Sequence, residues 1–109
     1  MANGRPRQTK RLEFHRLLET IPGVRALYFQ RPPTKQMEYD CILYKVERPN
    51  VVYADNVRYM YGTYYTVTFI HRDPDAEAFE KIMELPYTSF DRQYMADDLY
   101  HDVFTIFYK

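Results

Sequence analysis

VVYADNVRYMYGTYYTVTFIHR, residues 51–72, reads as an apolar arm, a turn at Asp55-Asn56 and a long second arm rich in Tyr, Thr, Val and Phe. β-Branched and aromatic residues pack well on a pleated surface. Asp and Asn tolerate left-handed backbone and bond neighbouring amides, which suits them to a hairpin turn. The second arm alternates with a period of two: Tyr59, Tyr61, Thr63, Tyr65, Val67 and Phe69 fall on one face, and Met60, Tyr64, Thr66, Thr68 and Ile70 on the other. Both faces carry enough apolar character to be partly covered. This arm is therefore expected to be the central strand of a sheet, and Gly62 within it marks a kink or close backbone approach.

Upstream, residues 39–53 fit a second strand with Ile42, Tyr44 and Val46 on one face and Leu43, Lys45 and Glu47 on the other. Pro49 requires a bulge or an edge there. Residues 24–29 (VRALYF) read as a first strand, followed by a Pro32-Pro33 loop. Residues 1–8 lack periodicity and form an expected mobile basic arm. Thr9 is placed to cap a helix ending near Thr20, with Leu12, Phe14, Leu17, Leu18 and Ile21 as its apolar stripe and Ile21-Pro22-Gly23 as its stop.

Downstream, Asp73 reads as an N-cap with Pro74 in the first helical position. Asp75 and Glu77 lie at the positive end of the dipole, and Phe79, Ile82 and Met83 form the buried stripe. Strands around residues 90–96 and 101–108 follow, joined by Asp97-Asp98. The expected order is α-β-β-β-α-β-β: one α+β domain over residues 9–109, with a mostly antiparallel sheet, an extended β-hairpin and helices packed on the sheet.

The 109 residues include 12 Tyr, 7 Phe, one Cys and no Trp, and the formal net charge is zero. A single cysteine excludes an internal disulfide framework, and no stretch resembles a signal peptide or membrane span. Charge is unevenly distributed. Residues 1–16 carry a net +4 and residues 73–102 a net −7, which reads either as a solvated arm and acidic helix or as two faces that meet between subunits.

Catalytic chemistry is poorly represented. Cys41 sits among apolar strand residues, as a structural thiol does, and Ser89 is the only serine. His15, His71 and His101 fall on three separate elements, without the convergent spacing of a metal site, and each reads as a surface or interface histidine. Asp97, Asp98 and Asp102 read as a solvated turn rather than an acid-base pair. No phosphate-cradling glycine loop is present. No enzyme activity, cofactor or metal is expected. Tyr59, Tyr61, Tyr64 and Tyr65 with Arg58 and Arg72 offer a second class of function, a nucleic-acid-binding sheet with stacking aromatics, although the usual RNA-binding signature is missing.

Tyr53-Ala54-Asp55-Asn56, the strand Tyr64-Tyr65-Thr66-Val67, the Asp73-Pro74-Asp75 helix opening, Tyr94, and the closing strand over residues 104–108 together resemble the tail terminator, or tail-completion (head-to-tail joining), proteins of long-tailed bacteriophages. The resemblance spans about residues 9–109; the Pro32-Pro33 loop departs from it. It implies a virion protein made in the host cytoplasm. Such proteins form a hexameric homo-oligomeric ring at the head-proximal end of the tail tube, touching the tube protein and the head connector while DNA passes through the channel. On that reading Tyr53, Asp55, Asn56, Arg58, Tyr59 and Tyr61 are the expected subunit or tube interface. Asp97, Asp98 and Asp102 are candidates to face the channel, and Arg5, Arg7, Lys10 and Arg11 form the basic arm.

Overall fold

The computed structural model describes residues 7–30, 37–55 and 58–108, with side chains described for 10–30, 37–48 and 62–108. The chain forms helix α1 (Arg7–Glu19), strands β1 (Ala26–Phe29), β2 (Cys41–Asp55) and β3 (Arg58–His71), helix α2 (Glu77–Met83), and strands β4 (Thr88–Ala96) and β5 (Leu99–Tyr108). This is the expected α+β order. One five-stranded sheet runs β1-β2-β3-β5-β4, so β3 is its centre.

The sheet is mixed. β2–β3, β3–β5 and β4–β5 are antiparallel, but β1 pairs with β2 in parallel, Ala26 opposite Cys41 through Phe29 opposite Tyr44. The sheet is thus mostly antiparallel, as the sequence spacing implied, with β1–β2 the one parallel pair. A parallel pair needs a connection long enough to return to the strand's start, and a strand of four residues makes that return short.

β3 alternates as its sequence requires. Tyr65, Val67 and Phe69 are at most 1% exposed, while Tyr64, Thr66 and Thr68 are half-buried. The buried row meets α1, whose Phe14 stacks on Tyr65 at 4.2 Å and lies edge-on to Tyr44 at 5.6 Å. Leu18 and Ile21 of α1's side complete this core with Ile42, Phe104 and Ile106, and α2 adds Ala78 and Ile82. Both helices thus cover one face. On the opposite face a smaller cluster of Met37, Cys41, Ile70 and Leu99 packs with Ala26, Tyr28, Tyr39 and Leu43.

Several local details depart from the sequence reading. α1 begins at Arg7, ahead of Thr9, and Leu12 is exposed. It ends where expected, with Ile21 N–H donating to the Leu18 carbonyl and Gly23 at φ +84, a conformation favouring glycine. Asp73 does not cap α2: its Oδ1 accepts from Asp75 N–H at 2.9 Å and its carbonyl from Ala76 N–H at 3.1 Å. The Asx turn thus leaves Ala76 as an N-cap without side-chain help. Met83 faces solvent, Ala78 takes the buried position, and Phe79 is half-buried against Phe90 and Phe104. Asp97 and Asp98 both adopt positive φ, as a two-residue hairpin turn requires. The supposed mobile arm falls largely on residues outside those described. Among the described residues no helix is long and apolar enough to cross a membrane.

The radius of gyration is 14.6 Å, against about 13 Å for a compact chain of this length. The extents, 47 × 31 × 21 Å, are those of an elongated body.

Burial, and secondarily the neighbouring Asp40 charge, pushes the Cys41 thiol up from 9.0 to about 11. A raised folded-state value stabilises fully below the unfolded value and is lost as pH climbs through the folded one. The stability gap between wild type and Cys41→Ala should therefore shrink by about 2 kcal/mol between pH 8 and 10.5. Urea melts of the two proteins across that range measure it; a constant gap would contradict the assignment.

Candidate functional site

Beyond the sheet proper, β2 and β3 continue as a two-stranded ribbon. β5 pairs with β3 only from Thr63 to His71, and β1 with β2 only along residues 41–44. The β2–β3 register carries on through Val51 opposite Gly62, Val52 opposite Tyr61, Tyr53 opposite Met60, Ala54 opposite Tyr59 and Asp55 opposite Arg58. Pairing irregularities between Val46 and Arg48 and between Arg48 and Val51 bracket Pro49, as its missing N–H requires. Residues 58–62 alone extend about 15 Å at ordinary strand rise. Of the expected interface residues, Tyr53, Asp55, Arg58, Tyr59 and Tyr61 lie on this ribbon; Asn56 lies outside the described residues. An isolated two-stranded ribbon is marginal in water, and this one carries Val, Tyr and Met along its length.

Among the described residues, no helix packs on the sheet face opposite α1 and α2. A bulge between Phe90 and Arg92 inserts one extra residue into β4. Asp91 accepts a 2.7 Å bond from the Thr105 hydroxyl, and Arg92 sits opposite Val103, so both point to this open face. Thr66 likewise donates to Glu47 at 2.5 Å. Arg92 lies 5.7 Å over the Tyr94 ring, which stacks on His101 at 4.7 Å. Leu43, Lys45, Thr68, Arg92, Tyr94 and Val103 border a shallow depression of about 290 Å³.

A third feature is buried. His71 and Asp102 are each 1% exposed, with His71 Nε2 2.6 Å from Asp102 Oδ2. His71 Nδ1 lies 2.8 Å from the Asp73 carbonyl, and Gln93 Nε2 donates to Asp102 Oδ1 at 2.6 Å. A carbonyl only accepts, so Nδ1 carries a proton. The Nε2–Oδ2 contact then holds one further proton, and the pair is neutral as a unit wherever that proton resides. Phe69 stacks on the imidazole at 4.3 Å and Tyr100 at 5.5 Å. The arrangement joins β3, β5, β4 and the turn before α2. It is closed to solvent, which suits positioning rather than turnover.

This burial corrects two sequence expectations. Asp102 does not face a channel, because it lies in the interior beneath Gln93 and His71; only Asp97 and Asp98 remain exposed, at the β4–β5 turn. His71 is not a surface histidine. His15, by contrast, shares a 2.8 Å hydrogen bond with the Tyr44 hydroxyl, whose pKa burial raises and Arg11 partly restores. Arg11 lies 4.2 Å over the Phe29 ring, so it and Lys10 belong to α1 rather than to an arm. Arg7 begins that helix, and Arg5 lies outside the described residues. Tyr65 is fully buried and cannot stack on bases; Tyr64 is half-covered by Arg48 and Phe107. Among the described residues no group of three or more His, Cys, Asp or Glu could hold a metal ion.

No family model, curated protein or solved structure matches this chain.

Asp102→Ala leaves His71 Nε2 buried without its partner, while Nδ1 keeps the Asp73 carbonyl, and is expected to destabilise by about 1–3 kcal/mol. Gln93→Ala removes one bond from an exposed residue and is expected to lower stability by about 1 kcal/mol. Replacing His71 and Asp102 together with leucines is expected to be milder than the sum of the single changes. Chemical denaturation of the set reads this coupling; strict additivity would show that the pair does not act as a unit.

Proposed function

We propose that this chain is a structural protein of a long-tailed bacteriophage virion: a tail terminator whose copies form a hexameric ring, cap the tail tube, and join it to the head connector with DNA passing through the channel. The observation that carries the reading is the β2–β3 ribbon, which leaves the sheet with both outer edges unpaired among the described residues and with an apolar sequence. Such an element is ordered by what it touches. The α+β fold fits the sequence resemblance. The basic residues of α1 and the acidic stretch from 73 to 102 fall on different elements, which suits a head-to-tail contact between one face of a subunit and a different face of the next.

The ribbon supplies the contact with a neighbouring subunit or the tube. Shortening it from residue 50 to residue 62, with a two-residue turn in place of the tip, is expected to leave the folded core intact by circular dichroism. Particles assembled with that variant should carry tubes of unregulated length or tails not joined to heads, seen by electron microscopy. Normal particles would sink the reading, as would detection of the wild-type protein away from the head–tail junction by immunogold labelling.

A further inference from the structure

We infer that the depression on the open sheet face receives the Asp97-Asp98 turn of a second copy of this chain, with Lys45 and Arg92 as the cations that bind it. The inference names the contact by which copies meet, and so rests on the ring reading above.

The charges on this face are sorted before any partner arrives. Its two carboxylates, Glu47 and Asp91, each accept a hydrogen bond from a threonine hydroxyl, Thr66 and Thr105. Of its three cations, Arg48 lies 4.3 Å over the Tyr64 ring, whereas Lys45 and Arg92 make no ion pair among the described residues and both border the same depression. The β4 bulge puts Arg92 there: with strict alternation, adjacent Asp91 and Arg92 would occupy opposite faces. Arg92 lies 5.7 Å over the Tyr94 ring, and Val103, Leu43 and Thr68 give the depression an uncharged floor. Two cations over an uncharged floor fit a small, doubly acidic protrusion.

The Asp97-Asp98 turn has that form. Both residues are exposed, both have positive φ, and they close the tight β4–β5 hairpin. Two short side chains on the backbone of a tight turn lose little conformational freedom on docking. A nucleic-acid backbone is the poorer match, because Glu47 and Asp91 line a second, adjoining depression that shares Lys45, Thr66, Arg92 and Val103 with this one, and so interrupt the run of cations that a chain of phosphates needs. The turn and the depression are different surfaces of one molecule, so a one-way contact between copies is heterologous and closes into a ring or continues as a filament, whereas a reciprocal one stops at a dimer.

Two variants of the full chain test this: Lys45→Glu with Arg92→Glu, and Asp97→Lys with Asp98→Lys. All four positions are exposed, and thermal melts confirm that each variant folds. Sedimentation at increasing concentration should show the wild type associating and each variant at least tenfold weaker. Mixing the two variants should restore association, since every junction then again pairs cations with acids. A wild type that stays monomeric, variants that associate normally, or a mixture that remains dissociated each overturns the contact, while the virion reading still stands or falls on the particles. Salt-dependent binding of single-stranded oligonucleotide, lost in Lys45→Glu with Arg92→Glu, would reassign the depression to phosphate.

Discussion

Strand β3 is hydrogen-bonded on both edges from Tyr64 to Ile70, and its period-two alternation commits one row of side chains to a dry interior and the other to a partly wet surface. A slip of one residue would exchange the rows, placing Thr66 and Thr68 under the helices and Tyr65, Val67 and Phe69 in water. The helices depend on that register. α1 is held by the Phe14–Tyr65 stack and its edge contact with Tyr44, and α2 reaches the same layer through Ala78, Ile82 and Phe79. At only seven residues, α2 is short for independent helix formation and relies on this packing.

Features that repeat along the chain were legible in it. The alternation of Tyr65, Val67 and Phe69, and of Ile42, Tyr44 and Val46, follows directly from composition on a pleated strand, as does a two-residue turn at adjacent aspartates. Features decided by competition were less so. Asp73 can bond the amide two residues on or cap a helix, and the nearer partner wins. Leu12 has the right spacing for α1's stripe, yet the buried side is set by where Phe14 and Leu18 meet the sheet. The parallel β1–β2 pair depends on the path of a loop, which periodicity does not encode.

The His71–Asp102 pair lies between these cases. The residues are 31 apart in sequence and meet because the β3–β5 register places Phe69 opposite Asp102 and His71 opposite Tyr100. A signal was nevertheless present. His71 occupies the next position in the buried row after Phe69, and Asp102 precedes Phe104 in the same phase of HDVFTIFY. A polar residue continuing an apolar row on each of two strands is an expected buried partner once those strands are paired.

The buried and the open sides of the sheet are linked through β4. Gln93 donates to Asp102 on the helix side, directly between Arg92 and Tyr94, which lie on the open face. The bulge at Asp91 has already shifted the strand's phase by one residue, and a bulged edge strand has few constraints of its own. The Gln93 hydrogen bond fixes the new phase by tying the first helix-side residue past the bulge to a carboxylate that is itself held by His71. Were Gln93 to turn outward, Asp102 Oδ1 would lose its donor, and Arg92 and Tyr94 would turn inward, away from the open face. The hydrogen-bonded pair in the interior therefore holds the surface cation in place at a distance of two strands, by register rather than by contact.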